Sequence, residues 1–148
     1  MIICTMGFAQ KNAKTFFESL KTNNVEALID IRLNNKSQLA GFTKGSDLEY
    51  FLPNLCNCEY YHEIDFAPTK EILDSYKDKK TTWKEYESSF IPLIESRNIK
   101  SKFDKKYRKY NCVCLLCSEP ISEQCHRRLV ADFVADSSDI IKHIYEKK

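Results

Sequence analysis

Asn111-Cys-Val-Cys-Leu-Leu-Cys117 is the stretch that decides the fold. It is short, apolar and bounded by polar residues, the mark of a strand buried in a sheet. Downstream, Ser122 is placed to cap a helix whose apolar stripe is Leu129, Val130, Phe133 and Val134, and residues 139–144 read as a closing strand. Upstream, the same alternation repeats. Residues 2–6 form a first strand ended by Gly7, and Phe16, Phe17 and Leu20 mark a helix. Residues 27–32 form a second strand, and 33–45 an irregular polar loop. Leu48, Phe51, Leu52 and Leu55 mark another helix, and Glu59–His62 is a Tyr-rich third strand. Helical patterns fill Lys70–Lys77 and Trp83–Ser96, with Pro68 and Pro92 as local interruptions. Short strands alternating with helices predict a single α/β domain over residues 1–148. Its sheet is mostly parallel with helices on both faces, a Rossmann-like or flavodoxin-like three-layer arrangement.

The composition agrees. Of 148 residues, 43% are hydrophobic and 30% charged, and only 3 are Gly and 4 Pro, which excludes disorder and low-complexity structure. The apolar run 113–117 is far too short to span a bilayer. Met1-Ile2-Ile3-Cys4 lacks the charge pattern of a signal peptide, so the seven cysteines read as reduced thiols of a cytoplasmic protein. The net charge of +2 hides an uneven distribution, because residues 97–109 hold seven Lys or Arg against one Asp.

Ligands of open parallel sheets bind beyond the carboxyl ends of the strands. Asp30 and Arg32 close the second strand, His62 the third, and Cys117 with Glu119 the fourth. The next helix opens with Cys125, His126, Arg127 and Arg128. With Ser122 as cap, Cys125 takes the third helical position, where unpaired amides and the positive helix end favour a thiolate. A small buried hydrophobe is the plainer reading of Cys125. His126 suits acid–base work, or is pinned by Glu119 or by a carbonyl. Arg32 and Arg127 offer forked donors for phosphate or carboxylate, and one of Arg127 and Arg128 is expected to face outward and pair with Asp132. Asp30 and Arg32 share a strand face, so a simple salt bridge between them stands beside catalysis. A metal site built from Cys117, Cys125, His126 and His62 is geometrically conceivable. Its spacing is unusual, and Cys114 and Cys117 point to opposite faces of a strand, so no metal is assigned and the cofactor is left open.

Taken together, Cys4-Thr-Met-Gly7, Asp30-Ile-Arg32 with Ser37 and Phe42 downstream, Leu116-Cys-Ser-Glu-Pro120, Cys125-His-Arg127 and His143-Ile144 resemble the family called domain of unknown function 488. The resemblance runs in order through nearly the whole chain and implies a small α/β protein. Glu-Ile-Asp-Phe-Ala-Pro-Thr-Lys70 after His62 resembles one subgroup of it.

The leading expectation is an enzyme or ligand-binding domain for an anionic substrate, such as a nucleotide or nucleic-acid component. Arg32, Arg127 and His62 bind it, Cys125 or Cys117 is the nucleophile, His126 or Glu119 moves protons, and Asp30 orients a base. Two rivals stand beside it. One is a non-catalytic nucleic-acid-binding module using residues 97–109, whose bases interleave with Phe103, Tyr107 and Tyr110. The other is a thiol redox or metal sensor.

Overall fold

The computed structural model describes residues 1–36, 41–118 and 124–144. Among these residues five strands form one sheet: β1 (Ile2–Gly7), β2 (Ala27–Asp30), β3 (Glu59–His62), β4 (Cys112–Cys117) and β5 (Ile140–Ile144). Their order is β3-β2-β4-β1-β5 and every pairing is parallel. Helices α1 (Ala13–Thr22) and α2 (Gly45–Cys56) pack on one face. The other is covered by α3 (Lys70–Lys77), α4 (Trp83–Ser96), α5 (Ile99–Tyr107) and α6 (His126–Val134). This is the expected three-layer α/β arrangement. Its strand order has β4 inserted between β2 and β1, which stand side by side in the common doubly wound orders.

Side-chain alternation along β4 divides the core. Val113 and Leu115 join Phe90, Phe103, Leu129 and Val130 on the α4–α6 face. Cys112, Cys114 and Leu116 join Phe16, Leu20, Leu28 and Leu52 on the α1–α2 face. All six residues of β4 are buried, which is why the stretch carries no polar side chain.

Local signals set the helix starts. The Asn12 side chain accepts from the Thr15 amide at 2.8 Å, Thr69 accepts from Ile72, and Thr82 with Glu85 forms a capping box. Pro92 lies inside α4 instead of interrupting it. Phe90 and Ile94, buried on either side of it, hold the helix together across the missing amide hydrogen bond. The basic stretch 97–109 is largely α5, entered through Asn98 in the left-handed conformation at φ 54° and anchored by buried Ile99, Phe103 and Tyr107. The second strand stops at Asp30, two residues earlier than expected, although the Ile31 amide still reaches the Leu116 carbonyl at 3.1 Å. No helix among the described residues is long and apolar enough to cross a membrane.

The order has one consequence for function. The chain leaves β1 and β2 toward the α1–α2 face, and leaves β4 toward the α6 face. Exits therefore diverge on both sides of the β4 carboxyl end, the condition that opens a crevice there.

Central β4 should dominate stability. Leu115→Ala, which truncates a fully buried side chain, is expected to cost about 2–5 kcal/mol in urea denaturation. Ile140→Ala, on an exposed position of edge strand β5, should stay within about 0.5 kcal/mol.

Candidate functional site

Burying a charge is costly unless it is paired, so where a protein does it is informative. Among the described residues Lys11, Asp30, Arg32 and Arg127 are the charged residues buried as a whole. All four sit at the carboxyl edge of the sheet, whereas the covered Asp139 carboxylate lies just before β5 and is paired with the Met1 amine and Arg108. Lys11 donates to the carbonyl of Gly7, the last residue of β1, at 2.7 Å. Asp30 ends β2 with Arg32 just beyond it, and Arg127 lies in the first turn of α6 against the end of β4.

The α1–α2 side holds a guanidinium–carboxylate pair. Arg32 Nε and Nη2 donate to the two oxygens of Asp30 at 2.8 and 2.6 Å, and Nη2 also donates to the Thr43 carbonyl at 2.6 Å. The Tyr60 hydroxyl donates to Asp30 at 2.7 Å, and the Phe8 ring lies 5.1 Å from the guanidinium carbon. Burial works against the charge of Arg32, and Asp30 outweighs it, so the guanidinium is held above its ordinary pKa. Burial, and then the Asp30 charge, likewise push the Tyr60 hydroxyl up. The salt bridge weighed from the sequence is therefore present, and Asp30 is occupied by Arg32 and Tyr60. Yet Nη1 of Arg32 is buried with no hydrogen-bond partner among the described residues.

The α6 side holds the thiols. Arg127 Nη1 donates to Cys117 Sγ at 2.9 Å, and its Nε donates to Thr5 Oγ1 at 3.4 Å. Thr5 Oγ1 in turn lies 2.6 Å from His143 Nδ1. The sulfurs of Cys117 and Cys125 are 2.6 Å apart.

Two expectations for Cys125 need correction. Helix α6 begins at His126, and Cys125 is its N-cap residue in extended conformation, φ −139°, not the third helical residue. The thiol is pushed up, not down, first by burial and then by its hydrogen bond to Cys117. Ser122 and Glu119 lie outside the described residues, as does Ser37.

Both candidate histidines clasp the backbone. His126 Nε2–H donates to the Ile31 carbonyl and His62 Nε2–H to the Arg32 carbonyl, each at 2.8 Å. Two consecutive carbonyls just past β2 are thus satisfied from α6 and from β3. For His126 this is the carbonyl-pinned alternative. Its ring meets Phe90 edge-on at 5.8 Å, and burial pushes its pKa down to about 4. The imidazole is neutral near pH 7, with its bare Nδ1 4.0 Å from the Cys125 sulfur. It is too weak a base there to share protons evenly. Arg128 points away, to Glu87 at 2.9 Å and Asp132 at 3.5 Å.

The candidates thus share one end of the sheet but divide between its faces, Asp30 and Arg32 on one and Cys117, Cys125 and Arg127 on the other. No group of three or more His, Cys, Asp or Glu able to hold a metal ion occurs among the described residues. Thr5, Phe8, Lys11 and Tyr60 escaped the sequence reading. Thr5 had a signal, as the one hydroxyl in an otherwise apolar strand.

The family described as Domain of unknown function DUF488 matches residues 12–134. The chain belongs to this family. No curated protein and no solved structure matches the chain. The DUF488 span includes every candidate from Asp30 to Arg127 and leaves out Thr5, Phe8, Lys11 and His143. The family's description names no reaction, so the chemistry has to be argued from these side chains.

The low pKa of His126 makes a signed prediction. Between the unfolded value near 6.5 and about 4 the unfolded chain binds a proton that the folded chain refuses, so stability falls as pH drops through that window. The loss is on the order of 3 kcal/mol by pH 4. His126→Gln keeps an N–H for the Ile31 carbonyl and does not titrate. Urea denaturation from pH 7 to 4.5 should show a flatter profile for the variant, and parallel profiles would refute the assignment.

Proposed function

We propose that this DUF488 protein is an enzyme acting on a small anionic substrate at the carboxyl edge of its sheet. Arg32 contributes the anion contact, and Cys117, across the same edge on the α6 face, is the candidate nucleophile. The observation that carries the reading is the buried, unpartnered Nη1 of Arg32. A buried donor without an acceptor costs about 1–3 kcal/mol, and a substrate oxygen removes that cost on binding. Because Asp30 already balances the guanidinium charge, selection rests on the directed N–H, as suits a phosphate or carboxylate oxygen.

Cys117 is preferred to Cys125 as nucleophile because the Arg127 guanidinium addresses its sulfur directly. Phosphate-bearing metabolites such as nucleotides fit this chemistry. Glu119 remains in the proposal as a proton carrier, and His126 supplies at most an acceptor at Nδ1.

The nucleic-acid reading has less support. Lys100 pairs with Asp104 and Asp136, Lys102 with Asp65, and Lys106 with Glu63. Arg108 pairs with Asp104, Asp136 and Asp139. Phe103 and Tyr107 are buried, and Tyr110 hydrogen-bonds Tyr61, so these rings are taken up inside the fold.

Phosphate or sulfate should raise the melting temperature more than chloride at equal ionic strength. A ligand at ~100 times its Kd adds about 2.7 kcal/mol. Arg32→Lys retains a positive partner for Asp30 but loses the spare forked donor, so the specific increment should vanish while the fold persists. An increment unchanged in Arg32→Lys would place anion binding elsewhere.

A further inference from the structure

Seven cysteines divide into unlike environments. Cys56 is half-buried at the end of α2, and Cys58 and Cys114 are buried near other cysteines but in no sulfur–sulfur contact among the described residues. Two pairs of sulfurs come close. Cys4 and Cys112 face each other across β1 and β4 at 3.8 Å, near ordinary non-bonded contact. Cys117 and Cys125 stand at 2.6 Å, inside such contact and approaching the about 2.0 Å of a covalent disulfide. One ends a central strand and the other caps a helix, so their separation is set by rigid elements. Only the second pair has a guanidinium hydrogen-bonded to one of its sulfurs, the Arg127 contact at 2.9 Å.

We propose that Cys117 and Cys125 form a dithiol centre that hydrogen peroxide oxidises to an intramolecular disulfide. Cys117 is the peroxide-reactive thiol and Cys125 the resolving one.

The asymmetry assigns the roles. A thiolate is the reactive form, and the buried positive charge of Arg127 favours it at Cys117. Cys125 keeps its proton until it is needed. The oxidant must be small, because Cys117 is 1% and Cys125 3% exposed.

The steps balance. Cys117 gives up its proton, and its thiolate attacks one oxygen of hydrogen peroxide. The O–O bond breaks, and the departing oxygen leaves with that proton as water. Cys117 is now a sulfenic acid. The Cys125 sulfur then attacks Cys117 Sγ, forming the S–S bond as the S–O bond breaks. The released hydroxide takes the Cys125 proton as a second water. The two sulfurs lose two electrons and peroxide gains them, and an external dithiol restores the pair by exchange. Both proposals make Cys117 reactive, but none of these steps requires an anion at Arg32, so the melting shift lost in Arg32→Lys tests the preceding proposal apart from this one.

The test uses the full chain, reduced, exposed to graded hydrogen peroxide, quenched, and alkylated under denaturing conditions. Glutamyl endopeptidase cuts after Glu123, between the two cysteines, because Pro120 protects the bond after Glu119. The expected result is that two of the seven thiols escape alkylation and that the Cys117 and Cys125 fragments stay linked until a dithiol is added. Cys125→Ser should stop at a Cys117 sulfenic acid trapped by a 1,3-diketone. Cys117→Ser should leave Cys125 fully alkylatable. If Cys117→Ser does not fold, diketone trapping in Cys125→Ser decides alone. The proposal is overturned if the first link joins Cys4 to Cys112. It is equally overturned if Cys56 is oxidised while Cys117 and Cys125 remain alkylatable, or if no diketone adduct forms on Cys117.

Discussion

The position of β4 between β1 and β2 is the constraint on which the rest depends. A strand paired on both edges and covered on both faces holds a polar side chain only where that group finds a partner, and Cys112–Cys117 carries no charged, hydroxyl or amide side chain. Polarity is displaced to the point where the ladder stops. There the exits of β1, β2 and β4 lie abreast, with the Phe8 and Ala9 amides bonded to the Cys117 and Ser118 carbonyls. Because β4 turns to the α6 face and its neighbours to the α1–α2 face, the edge carries two chemistries back to back. A guanidinium–carboxylate pair lies on one face and a guanidinium–dithiol group on the other.

The edge is held at a cost in stability. A buried ion pair such as Asp30–Arg32 seldom outperforms a well-packed apolar pair, while removing one partner alone costs about 3–5 kcal/mol. The pair is further committed through the Tyr60 hydroxyl and the Thr43 carbonyl, yet leaves one N–H of Arg32 unmet. A purely structural arrangement gains nothing from that orphan donor. That orphan donor is the contact the proposed anionic substrate would complete.

Much of this was legible from residues alone. Strand positions followed from short apolar runs, and the starts of α1, α3 and α4 carry Asn12, Thr69 and Thr82 as caps. Helix α5 was obscured because its charged face is dense, although Ile99, Phe103 and Tyr107 form an apolar stripe at helical spacing. The later start of α6 at His126 was not readable, since Ser122 offers an equally good capping side chain. Which face each edge residue occupies was also hidden. Alternation places Asp30 with Leu28 and Cys117 with Leu115, but only packed helices say which side is which.

The histidines show most clearly how a residue type can mislead. The sequence suggests proton transfer for His126 and substrate contact for His62, and both present Nε2–H to the chain just past β2. That chain carries Arg32, so the two rings hold in place the backbone from which the unpartnered guanidinium N–H extends. Desolvation keeps His126 neutral and therefore free to donate from one nitrogen and accept at the other. A charged imidazole here would stand against Arg127, whose positive charge already lowers its proton affinity. Neutrality at His126 thus leaves Arg127 as the inward positive charge at this end of α6, bonded to the Cys117 sulfur, while Arg128 faces Glu87 and Asp132. In this arrangement the histidines fix geometry, and the proposed chemistry rests on the thiols and guanidinium groups.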